Sequence, residues 1–249
     1  MSPGKHGIRT VIVSAARHLR RRGQEQRGQE IIEFAFVALL FVPMFLGMFV
    51  TGMNLIVSIQ ANNMIRSLGS MYIHGADFST YSYQQLAQRM GTGLNLQMPS
   101  FSGNLQSNTG SVGDGIIRIT EVMYVGKTTD PNCVAVGSGS CTNHDSFVFI
   151  QRIVFGNSSL GTQHPSSMGD PTGATISMQG SVANYVTDAN AKLPTAGQAA
   201  MVALWQTNAN GQQPLTDGQV FYAADGYFQT LSFSLGNNTS QGVSVRAFF

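Results

Sequence analysis

Of the residues in this chain that could do chemistry, Glu33 stands in the most demanding place. Arg27-Gly28-Gln29-Glu30-Ile31-Ile32-Glu33-Phe34 runs straight into a stretch, Phe34 to Ile65, that contains no Lys, Arg, Asp or Glu. A carboxylate at the edge of an apolar span is costly unless it meets a cation or reaches water. Glu33 therefore either pairs with a positive group or sits at the headgroup boundary with its charge in water. Cys133 and Cys141 form the second candidate pair, flanked by Gly, Ser, Asn and Pro. A metal site would need more ligands, and His144 is the only histidine near them. A loop disulfide is the expected chemistry if this region lies outside a reducing compartment. Two free thiols are the alternative.

Other candidate chemistries fail on spacing. Val125-Gly126-Lys127-Thr128-Thr129 resembles the end of a phosphate loop, but the motif needs a Gly where Glu121 stands. The segment reads as a turn after a strand. Histidines 6, 18, 74, 144 and 164 share no metal-ligand spacing, and no Gly-x-Ser-x-Gly elbow occurs. Asp114, Asp130, Asp145, Asp170 and Asp217 sit among Gly, Asn and Pro, as turn residues do. The expectation is a protein without catalytic residues, metal or cofactor.

The elements that must position Glu33 are a basic arm and a membrane helix. Residues 1–28 carry seven basic residues against one acid, a charge of +6, and the remainder carries −4. The arm is expected to stay cytoplasmic by the positive-inside rule. No basic patch with interleaved aromatics follows, so nucleic acid is not an expected partner. The densest apolar part, Phe34 to Val57, is 24 residues. At about 1.5 Å per residue it reaches roughly 36 Å, enough to cross a hydrocarbon core of about 30 Å. A secretory signal would have a shorter apolar region ending in small residues. The apolar helix is therefore expected to remain in the mature chain. Pro43 removes one backbone bond within it, a kink site, with Gly47 and Gly52 nearby. Beyond the span, Met64, Leu68, Met71 and Tyr72 keep a helical period, and Gly75 is a stop signal. The helix is expected over about 29–75.

The order basic residue, Gly28, short spacer, Glu33-Phe34-Ala35, apolar run and Pro43 resembles the start of the TadE-like family. These are minor pilins, or pseudopilins, of the bacterial tight-adherence (Tad/Flp) pilus machinery. The resemblance covers roughly residues 20–65. It implies cleavage after Gly28 by a prepilin peptidase, leaving Gln29 as the new N-terminus and Glu33 as the fifth mature residue. It also implies that Glu33, beside Phe34, faces the α-amino group of a neighbouring pilin or pseudopilin subunit. The partners implied are the peptidase, other subunits, the Tad assembly machinery and membrane lipid. The location implied is the inner membrane, single-pass, N-terminus cytoplasmic, the C-terminal domain periplasmic or in an extracellular pilus. The alternative is an unprocessed single-span protein whose exported domain binds a ligand or partner.

Residues 76–249 read as an exported α+β domain with a mainly antiparallel sheet. A helix is expected at Ser82–Met90. Strands are expected at Ile116–Val125, Ser146–Phe155, Ala174–Val182, Gln219–Phe233 and Gly242–Phe249. The first two would form a hairpin whose long loop holds both cysteines. A helical region is expected between Val182 and Thr207, with Pro194 opening its second half and Trp205 packing inward.

Overall fold

The computed structural model describes residues 7–98, 107–208, 214–230 and 241–249. It is α+β, with one long apolar N-terminal helix and a mixed sheet. The chain divides into two compact units, Met1–Gly52 and Met53–Phe249.

Helix α1 spans Gly7–Ile73. It begins well before residue 29, because the arm contains no proline after Pro3 and is rich in Arg and Gln, good helix formers. Its end falls where the glycine signal places it. Gly75 adopts φ +91°, a conformation that L side chains resist. The amide of Ala76 then reaches back to the carbonyl of Met71 at 2.9 Å, and that of Gly75 to Tyr72 at 3.0 Å. This pair of reversed bonds satisfies carbonyls that the helix end leaves open.

In the second unit the strands are β1 (Ser107–Gly110), β2 (Gly115–Val125), β3 (Ser146–Asn157), β4 (Val220–Gln229) and β5 (Gly242–Phe248). Their spatial order is β1-β3-β2-β4-β5. β2 pairs antiparallel with β3 and β4, and β4 with β5. β1 lies parallel to β3, so the sheet is mixed, but the other three pairings among the described residues are antiparallel, in line with the expected mainly antiparallel sheet. The hairpin of β2 and β3 matches the expectation.

Alternation along the strands sends Ile117, Ile119, Ile153, Phe155, Ala224 and Phe228 to one face. There they meet Ala61, Met64, Ile65 and Leu68, one stripe of α1 at three- and four-residue steps. Helix α2 (Tyr81–Met90) adds Ala87 to the same core. On the opposite face, Val122, Phe147 and Phe149 pack against Met168, Val182, Leu193 and Met201. A register shift opposite Glu121 and Val122 inserts Ile150 into β3 and changes which residues of β3 face which side.

Two expectations fail in this unit. Ala174–Val182 is not a strand. It is a tight turn with isolated bridges, Ile176 to Val182 and Gln151 to Ser181. Gly180, at φ +83°, turns the chain there, and a Cβ on it would stand 2.6 Å from the carbonyl oxygen of Arg152. The region from Val182 to Pro194 is also not α-helical. It is a chain of turns with Asn184 at φ 52°, and the next α-helix covers only Thr195–Asn208, just after Pro194. Trp205 is half-buried, edge-on to Phe221 at 6.0 Å between ring centres. The part of the fourth expected strand at 231–233 lies outside the described residues.

Candidate functional site

Gly28, Gln29, Glu33 and Phe34 all lie on α1. One helical turn separates Gln29 from Glu33, and the Gln29 Nε2 donates to the Glu33 carboxylate at 3.2 Å. The bond is solvent-exposed and engages one of the two carboxylate oxygens. Among the described residues no cation pairs with Glu33. Phe34 is 73 % exposed. Downstream, Phe36, Leu39, Leu40, Phe41, Phe45 and Met48 are also exposed. Such a side chain forfeits about 1.5–3 kcal/mol when it stays in water instead of an apolar medium. A row of them requires cover by lipid or protein. Over Gln29–Ile73 the helix is long and apolar enough to cross a membrane. α1 runs through Pro43, which has no amide to offer the carbonyl of Leu39. Thr51 Oγ1 donates to the carbonyl of Gly47 at 2.8 Å, as hydroxyls do inside apolar helices.

Cys133 and Cys141 form a disulfide with a Cα–Cα distance of 5.1 Å. Cys133 sits in the short helix α3 (Pro131–Val136). Both cysteines are buried against Met123, Val125, Val148 and Val186. The loop is also held by Asp217, from the segment before β4. One Asp217 oxygen accepts from the Gly126 amide at 2.8 Å, the other from the Asn132 amide at 2.9 Å. Desolvation is the largest single influence on this carboxyl and raises its pKa. The bonds from Gly126 and Asn132 together outweigh it, and the net shift is downward from 3.8. Asp217 therefore stabilises the fold above that value, and the contribution fades as pH falls toward its lower folded pKa. The Lys127 amide is likewise taken, by Asp130 at 2.8 Å. Carboxylates thus occupy the amides of the Gly126-Lys127 turn that a phosphate would need.

The structure also assembles a buried charge network that sequence reasoning missed. Arg118, Arg152 and Asp225 are all nearly inaccessible to solvent. Arg118 on β2 lies opposite Asp225 on β4 in register and binds it at 3.2 Å. Its other guanidinium nitrogen donates to the carbonyls of Gly161 and His164 at 3.1 and 2.8 Å. Arg152 on β3 binds Asp170 at 2.5 Å, the carbonyl of Gly169 at 3.1 Å and the hydroxyl of Thr120. It also approaches the second Asp225 oxygen at 3.7 Å, to which Ser166 donates at 2.9 Å. The network ties the sheet to the end of a short helix, Ser158–Gln163, and to the loop that follows it. The only sequence signal was an Arg at an inward position of each of two apolar strands.

Neither protein-family models, curated proteins nor solved structures give a match to this chain.

Proposed function

We propose that this chain is a TadE-like minor pilin: a subunit cleaved after Gly28, anchored by the apolar part of α1, and built into a Tad-type pilus or its base complex. One observation carries the reading. Gly28, Glu33 and Phe34 stand in that order between a +6 arm and an uncharged helix whose apolar side chains are bare. After cleavage the new ammonium on Gln29 would lie about one helical turn from Glu33. The second oxygen of Glu33 suits the ammonium of a neighbouring subunit, and the pair would gain strength in the low dielectric of a packed helix bundle. In this reading the arm stays cytoplasmic, residues 29–75 form the mature helix, and residues 76–249 are exported. The work is assembly, adhesion or secretion, with no reaction catalysed.

A second reading is an unprocessed single-span protein whose exported domain binds a partner. The continuity of α1 through Gly28 favours it, since a peptidase needs its scissile bond unwound. Gly23 and Gly28 offset this point, because each lowers helix stability by about 1 kcal/mol relative to Ala.

Glu33→Ala tests the assembly role. The variant should insert in the membrane at wild-type level while its share in sheared pili or cross-linked complexes falls at least tenfold. Incorporation at wild-type level would refute the proposed pairing.

A further inference from the structure

The far end of α1 meets the sheet through a polar cluster inside an otherwise apolar interface. The Tyr72 hydroxyl lies 3.2 Å from Glu121 Oε2 on β2 and also contacts Gln151 Oε1 on β3. Tyr222 on β4 lies opposite Glu121 in register. The Tyr72 and Tyr222 rings meet edge to face at 5.5 Å. The amide of Gln151 is oriented by its own Nε2, which donates to the Gln179 carbonyl at 2.9 Å. Its oxygen, an acceptor only, must therefore face Tyr72.

Counting protons decides the state of this cluster. Two oxygen–oxygen contacts are made: Tyr72 with Glu121 and Tyr72 with Gln151. Each needs one proton, and the Tyr72 phenol supplies one. With Glu121 ionised, one contact must be made without a proton, which sets two acceptors against each other in a partly buried place. With Glu121 protonated, its O–H donates to Tyr72 and Tyr72 donates to Gln151. Both contacts are then satisfied.

We propose that Tyr72, Glu121 and Gln151 form a proton-dependent latch between α1 and the sheet, closed when Glu121 carries a proton and loosened when it ionises. The groups facing the carboxyl are Tyr72 from α1, Tyr222 from β4 and the neutral Gln151 from β3, with Asp77 beyond the helix end acting on Tyr72. Among the described residues no cation pairs with Glu121. Burial pushes the carboxyl above its ordinary 4.5, against the opposing pull of the Tyr72 and Tyr222 hydroxyls. Burial, then the Glu121 charge, pushes the Tyr72 phenol far upward, so it keeps its proton throughout. Above 4.5 the folded chain holds a proton that the unfolded chain has lost. The latch therefore weakens as pH rises through that window, opposite to an ordinary salt-bridged carboxylate.

The test is amide hydrogen exchange of the full chain in detergent micelles, from acidic to mildly alkaline pH, corrected for intrinsic exchange rates. Protection of the peptide spanning 66–76 should fall roughly three- to tenfold as pH rises, the scale of one hydrogen bond lost. Glu121→Gln supplies a permanent donor to Tyr72 and should hold protection high and flat. Tyr72→Phe should give low and flat protection. An infrared band of a protonated carboxylic acid should be present in wild type at acidic pH, vanish through the same window, and be weaker by one group in Glu121→Gln. Flat wild-type protection overturns the latch. So does a Glu121→Gln or Tyr72→Phe profile that follows the wild-type pH dependence.

Discussion

Asp225 is the residue whose environment the sequence hid most completely. It lies in Ala223-Ala224-Asp225-Gly226-Tyr227, where the sequence led only to the expectation of a strand over Gln219–Phe233. The structure instead places it between two buried arginines, 3.2 Å from one and 3.7 Å from the other. Removing one member of a buried charge pair leaves the others unmatched, at a cost of about 3–5 kcal/mol. Asp225→Asn keeps the shape and removes the charge. It should lower the urea unfolding free energy of the micelle-bound protein by that amount, and a loss below about 1 kcal/mol would mean that the arginines are balanced elsewhere. Arg118 and Arg152 were unreadable for the same reason. Each is one charge in a β-forming run, and only the strand register shows that they meet Asp225 on one face. Gly28, Gln29, Glu33 and Phe34 could be proposed from the sequence because the pattern they form lies in local order along the chain.

At the scale of elements, legibility followed how local the determining contacts are. The end of α1 at Ile73 was visible because Gly75 supplies the reversed backbone within a few residues. The β2–β3 hairpin was visible in two runs of β-formers. Ala174–Val182 misled because its β-forming residues line a turn whose course is set by contact with Arg152 on a distant strand. The cysteine loop was legible as a possible disulfide, but its clamp by Asp217 spans 85 residues and was not. The bond closes a ring whose cysteines are eight positions apart. Chain-entropy reasoning assigns such a ring about 2.5 kcal/mol. A Cys133→Ser, Cys141→Ser double variant should lose that much stability under non-reducing conditions and match reduced wild type. Equal stability of the variant and oxidised wild type would mean that the Asp217 clamp and the apolar cluster suffice alone.

For the whole molecule, a charge boundary coincides with the start of an exposed apolar row. The +6 arm, the uncharged span and the −4 remainder were all readable from composition. The row from Phe34 onward is apolar and exposed, on a helix long and apolar enough to cross a membrane. The central claim is that a cut falls before the span and leaves Glu33 on the mature subunit. The mass of the N-terminal peptide, taken from the membrane fraction of a strain with an active prepilin peptidase, tests it most directly. The account predicts a mature chain that begins at Gln29, and a chain that keeps its arm when Gly28 is changed to Ala or the peptidase is deleted. A chain that begins at Met1 while the peptidase is active would contradict it.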